Sequence, residues 1–266
     1  MPFFTSDGTN MYVDVVGEGT AVLMLHEISL DHRQWTAQSE ALRGEHKVFR
    51  LDWRGHGRSA TAPTGHGWSG FAADARRALV QVGMDRLHPG MVLAHGVACD
   101  AALQLCLREP RALRAAVLVA PLLWGVEAGE EWRSLLQAMR QSARAGDLAG
   151  ALGLLRSDRA FAGVRADPEL ERSVRAMQER CRGDWLQSEE TDTGTPTAQR
   201  LMECKQPLLV LCGREDRDDF RHTAAQIASQ APRAHVLEID GAFHFPNLET
   251  PESFNAVLKD FLAEPS

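Results

Sequence analysis

Short apolar runs alternate along this chain with stretches whose apolar residues recur at helical spacing. Residues 21–25 (Ala-Val-Leu-Met-Leu), 47–51, 91–94, 113–120, 207–212 and 235–239 have strand length, and most are apolar throughout. Unbroken apolar runs of that length suit strands covered on both faces. Residues 31–42, 71–82, 98–108, 220–230 and 251–262 carry the helical pattern, with Phe71, Ala75, Leu79 and Val82 as one clear stripe. Ahead of them, Ser6-Asp7-Gly8-Thr9-Asn10 and Gly17-Glu18-Gly19 are turn signals that predict an antiparallel entry over residues 2–26.

The alternation stops after residue 121. From there to residue 204 the pattern is helical, with stretches at 130–145 (Trp132, Leu135, Leu136 and Met139 apolar), 148–155 and 168–180, then a polar linker at 188–196. The predicted organisation is an α/β core domain from residues 1–121 and 205–266, interrupted by a helical cap at 122–204. Its centre is a mostly parallel sheet with helices on both faces. Ligands in such sheets bind at the carboxyl ends of the strands. Those ends are His26-Glu27, Asp52-Trp53, His95-Gly96, Pro121-Leu122, residues 213–216 and residues 241–244.

Composition narrows the function classes. The chain has 266 residues, 44% of them hydrophobic, enough for one sizeable core with an insertion. A net charge of −7 without a long basic run argues against nucleic-acid binding. No apolar stretch reaches membrane-spanning length and no signal peptide is visible, so a cytoplasmic protein is expected. Cys99, Cys106, Cys181, Cys204 and Cys212 are odd in number and show no CxxC spacing. Reduced thiols are therefore expected, with no metal and no cofactor. The expected partner is a small hydrophobic substrate, and a homodimer is compatible with the sequence.

Four stretches carry a resemblance to the α/β-hydrolase superfamily: His26-Glu27-Ile28, Asp52-Trp53-Arg54-Gly55-His56-Gly57-Arg58-Ser59, Gly213-Arg214-Glu215-Asp216 and Gly241-Ala242-Phe243-His244-Phe245-Pro246. The resemblance implies the α/β-hydrolase fold with a helical lid, Asp216 as catalytic acid and His244 as catalytic histidine. It also implies an oxyanion hole from the backbone N–H groups of Val97 and of Ile28 or Glu27. Read without it, His244 is a loop histidine between aromatics. Asp216 is then one of several acids, with Glu215, Asp218 and Asp219, that could cap the next helix.

Two departures from the family pattern concern the chemistry. The family's nucleophile elbow is Gly-x-Ser-x-Gly; here the stretch is Ala94-His95-Gly96-Val97-Ala98-Cys99, with Gly96 at the tip. Where the family has a glycine after its histidine, this chain has Glu27, which could point into the pocket or outward. Cys99 lies three positions past the tip and is expected to be a buried, inert thiol. His26 and His95 flank the site. Trp124, Trp132 and Phe243 are candidates for its walls, and Trp35, Trp53 and Trp185 are further aromatics that could line an apolar pocket. The residues 52–59 are expected to be scaffold.

With no nucleophile at position 96, an acyl-enzyme route lacks its atom. The leading expectation is a His244–Asp216 dyad acting as general base on a small hydrophobic metabolite, the resulting anion stabilised by the backbone hole or Glu27. Lyase, isomerase, cyclase or cofactor-free oxygenase chemistry would follow. The alternatives are a hydrolase of an ester, lactone or epoxide in which His244 activates water, and a binding protein without catalysis. The space vacated at position 96 is expected to admit substrate or water.

Overall fold

The structure, a computed structural model, describes residues 2–188 and 192–263. Eight strands form one sheet: β1 Phe3–Ser6, β2 Thr9–Val16, β3 Thr20–Leu25, β4 His46–Leu51, β5 Gly90–His95, β6 Leu113–Val119, β7 Leu208–Gly213 and β8 Ala234–Ile239. Their order is β1-β2-β4-β3-β5-β6-β7-β8. The first two pairings, β1 with β2 and β2 with β4, are antiparallel; all the others are parallel.

The continuous apolar runs have the reason expected of them. Leu23 and Leu25 of β3, Val92 and Ala94 of β5, and Leu208 and Val210 of β7 pack on one face of the sheet. Val22, Met24, Leu93, Leu209 and Leu211, the alternate residues, pack on the other. The first face is covered by Phe71, Ala75 and Leu79 of α2 (Trp68–Gln81), Leu103 and Cys106 of α3 (Ala98–Arg108), and Ile227 of α9 (Asp218–Gln230). The second is covered by Trp35, Leu42 of α1 (Thr36–Leu42), and Phe254 and Leu258 of α11 (Pro251–Ala263).

Two expectations need correcting here. Residues 31–42 are not one helix: a 3-10 turn at His32–Trp35, capped by Asp31, precedes α1. The histidine loop is followed by a short helix, α10 (Pro246–Glu249), that the sequence pattern did not reveal.

Between β6 and β7 every regular element among the described residues is helical: α4 Glu130–Arg144, α5 Leu148–Ser157, α6 Ala162–Ala166, α7 Pro168–Gln178 and α8 Asp184–Gln187, with 3-10 turns between. Part of the predicted linker at 188–196, residues 189–191, lies outside the described residues. Arg217, at the foot of α9, reaches Asp158 (2.8 Å) and Glu131 (3.2 Å) and so ties this helical segment to the sheet. Among the described residues no helix is long and apolar enough to cross a membrane.

Candidate active site

The loop after β3 is held from several sides. The His26 ring accepts from the Trp53 backbone N–H (3.1 Å) through Nε2, and its Nδ1 donates to the Glu27 carbonyl (2.8 Å). The Trp53 indole N–H donates to the His26 carbonyl, and the Glu27 N–H donates to the Gln34 side chain. This fixes the Glu27 backbone and turns its side chain inward, where it is largely buried. The residues 52–59 are the buttress: Asp52 accepts from the backbone N–H groups of His32 and Arg58, and Ser59 donates to the Asp52 carbonyl.

The turn from β5 into α3 pivots on Gly96, whose φ of +59° is a left-handed conformation that glycine adopts without strain. Its N–H donates to the Val119 carbonyl and its own carbonyl accepts from Leu122 and Cys99, so the turn is pinned to β6. A Cβ added at Gly96 would overlap Oε2 of Glu27. The space beside the glycine is therefore filled by the Glu27 carboxyl group, not open to substrate or water as expected. Glu27 points inward, which resolves the two directions left open by the sequence.

Burial pushes the Glu27 carboxyl up to about 7, against the pull of His244 and of the Val97 and Ile28 backbone N–H groups. The two backbone groups expected to form an oxyanion hole thus face a carboxyl group of the protein itself. Cys99 is buried with its Sγ directed at the Ala94 and Val119 carbonyls, and burial raises its thiol well above the usual range.

Asp216 and His244 come together from the ends of β7 and β8, with His244 Nδ1 3.1 Å from Asp216 Oδ2. The other Asp216 oxygen accepts from the Arg217 N–H at 2.7 Å. Burial pulls the imidazole pKa down, but Asp216 and then Glu27 outweigh it, so His244 stands above its ordinary value. Phe220 and Phe245 pack on its ring, at centroid distances of 4.2 and 4.8 Å. Behind the loop, Glu249 accepts from the Phe243 N–H, and burial raises its carboxyl to about 7.

Glu27 and His244 open onto a cavity of about 250 Å³. Its floor is Glu27, Ile28, Val97 and His244; Trp132, Leu136, Leu155 and Phe161 of the helical segment form the opposite wall. Among the expected wall residues Trp132 and Trp185 line it, whereas His26, His95, Trp124 and Phe243 do not. His26 is consumed by the Trp53 clamp. His95 lies beneath the floor, its Nε2 2.9 Å from the His244 carbonyl. The Trp124 N–H is engaged by Asp100, and its neighbours Leu122 and Leu123 face the cavity instead. The Phe243 backbone is held by Glu249, and Phe245 takes the wall position. Trp35 and Trp53 are core residues. Trp68, Phe71, Phe161 and Arg140 also line the cavity and were not expected to.

Comparison with known proteins agrees with this fold. The putative carbamate hydrolase RutD of Azorhizobium caulinodans is 25% identical over 99% of both chains. Among solved structures, the esterase RhEst1 from Rhodococcus sp. ECU1013 superposes with a TM-score of 0.82 at 20% identity, covering all of both chains. The enol-lactonase from Burkholderia xenovorans LB400 gives a TM-score of 0.80 at 19% identity over 99% of this chain and all of that one. A model of the alpha/beta hydrolase family matches residues 22–257, nearly the full length of the chain, which therefore belongs to that family.

Proposed function

We propose that this protein is an α/β-hydrolase-fold enzyme that works without a nucleophile at position 96, by proton transfer on a small, largely apolar substrate. The observation that carries this reading is the Glu27 carboxyl group lying in the space beside Gly96, across from a histidine whose Nδ1 is held by Asp216.

In this reading His244 is the general base. Asp216 fixes the ring so that Nε2 takes the proton, and it stabilises the imidazolium that forms. Glu27, in its acid form, gives a proton or a hydrogen bond to the charge that develops on the substrate. A base and an acid on one cavity floor serve elimination, isomerisation or ring closure. The helical segment at 122–204 is the lid, and its apolar wall keeps water from competing for the proton.

A second reading, hydrolysis with His244 activating water, draws support from the hydrolase name of the full-length relative. Solvent labelling separates the two. A panel of aromatic esters, lactones and enolisable ketones is assayed in H₂¹⁸O and in D₂O. Proton-transfer chemistry leaves ¹⁸O out of the product and exchanges carbon-bound hydrogen; hydrolysis puts ¹⁸O in. For a turned-over substrate, His244→Ala should slow the reaction by about 10²–10⁴-fold with the fold intact. Normal turnover in that variant would end both readings.

A further inference from the structure

At and just beneath the cavity floor, the Glu27 carboxyl group and the His95 ring face each other. Nε2 of His95 lies 2.9 Å from the His244 carbonyl, which can only accept, so that nitrogen carries the ring's proton. Nδ1 of the neutral ring is then a bare lone pair. It points at Glu27 Oε2 across 3.6 Å, and neither atom has a hydrogen-bond partner. The His95 side chain is fully buried and that of Glu27 is 10% exposed, so water does not satisfy them from outside. Either a proton on Glu27 or a metal ion held by both groups would join them.

The spacing discriminates between a proton and a metal ion. A hydrogen bond between nitrogen and oxygen closes to about 2.7–3.2 Å. Two ligands about 2.0–2.1 Å from one tetrahedral ion sit roughly 3.4 Å apart. The observed 3.6 Å is too long for the first and close to the second. A third donor stands close by: ligand atoms of Glu27, His95 and His244 all lie within 4.8 Å of one another, so the set would draw together on an ion to reach that spacing.

We propose that Glu27, His95 and His244 form a binding site for a divalent transition metal ion, with Zn²⁺ the best match to two imidazoles and one carboxylate. Each histidine already has the outer partner that metal-bound imidazoles use. His95 is anchored on the His244 carbonyl and His244 on Asp216. Three protein ligands leave coordination positions free on the cavity side, the arrangement of a catalytic and not a structural site. This inference goes beyond the proton-transfer reading: with the ion bound, Nε2 of His244 is a ligand, and the role of base belongs to the metal-free form.

The test is metal binding without substrate, so its outcome is independent of turnover. The full-length protein, stripped with a chelator, is titrated with Zn²⁺ in a competing chromophoric chelator. Co²⁺ is added separately and its visible absorption recorded. The expected result is one Zn²⁺ per chain, with affinity lowered at least about 100-fold by His95→Ala and by Glu27→Gln. The Co²⁺ spectrum should show nitrogen and oxygen ligation without thiolate bands. His95→Gln, which keeps a polar side chain of similar reach, guards against a folding defect, and thermal unfolding of each metal-free variant checks it. Unchanged Zn²⁺ affinity in folded variants, no binding by the parent protein, or thiolate bands from the cysteines would each overturn the proposal. His244→Ala kinetics on the metal-free protein test the proton-transfer reading separately.

Discussion

On one side of the cavity floor, the ends of β7 and β8 hold Asp216 and His244 in a 3.1 Å pair, the two residues that the resemblance led one to expect together. On the other, the ends of β3 and β5 hold Glu27 and Gly96, the two positions at which the sequence leads one to expect a departure from the family pattern. The two positions are spatially one. Glu27 puts a carboxyl oxygen where any side chain at position 96 would begin, so glycine at 96 is what makes room for it. The histidine half orients an imidazole through Asp216. The other half has no side chain on the turn and a carboxyl group that reaches in from the neighbouring strand. In the proposed reading the site is built around that carboxyl group, with His244 as its base.

The largest effect should come from breaking the histidine half. Asp216→Asn keeps the shape but removes the charge and allows the wrong imidazole tautomer. The expected loss is about 10³–10⁴-fold in turnover with thermal stability little changed. A loss under tenfold would mean that His244 is not oriented by Asp216 and that the two halves are not one centre.

Next in size is a double-mutant cycle on the half that holds Glu27 and Gly96. Gly96→Ser alone drives its Cβ into Glu27 and should destabilise the fold by about 1–3 kcal/mol, with no esterase activity gained. In a Glu27→Gly background the same serine has room, so most of that cost should vanish, leaving a coupling of about 1–2 kcal/mol in chemical denaturation. Additive effects of the two changes would show that Glu27 does not occupy the space beside position 96.

The same contrast explains what could be read from the sequence. The strands were legible because the apolar runs of β3, β5, β6 and β7 face cores on both sides, and the Asp216–His244 pair because its residues sit in recognisable loops. Gly96 was legible as a turn tip by its place between β5 and α3. Glu27 was identified as a departure, but its direction depends on Gln34, His26 and Trp53 holding its backbone, contacts that span 1 to 27 residues and leave no local pattern. The cavity wall was the least legible part. An amphipathic helix shows which face is apolar, not whether that face meets a core or a void. Trp124 and Phe243 turned away, while Phe161 and Phe245 did not. The short α10 was missed because four residues carry no period.

Arg217 links the two regions from outside the cavity. Its guanidinium joins Asp158 and Glu131 of the helical segment to Asp219 at the start of α9, next to Asp216. Glu131 is exposed, so that contact adds little, whereas Asp158 and Asp219 are nearly buried and would be left uncompensated. Arg217→Ala should cost about 1–2 kcal/mol of stability and raise KM more than it lowers kcat, because the wall that closes on substrate loosens while the dyad stays paired. An equal fall in kcat would place Arg217 in the charge balance of Asp216 itself.

The smallest effect is expected at Cys99, the one remaining nucleophilic atom near the turn. Its Sγ lies against the Ala94 and Val119 carbonyls, its side chain is fully buried, and burial holds the thiol well above the range in which it ionises. A thiol so placed neither reaches the cavity nor forms the thiolate that attack requires. Cys99→Ala should change turnover less than about twofold and cost roughly 1 kcal/mol of packing. Iodoacetamide should leave Cys99 unlabelled in the native protein, as mass spectrometry of the digest would show. Rapid labelling at Cys99 with parallel loss of activity would move the nucleophile back into the half of the site where Glu27 now stands alone.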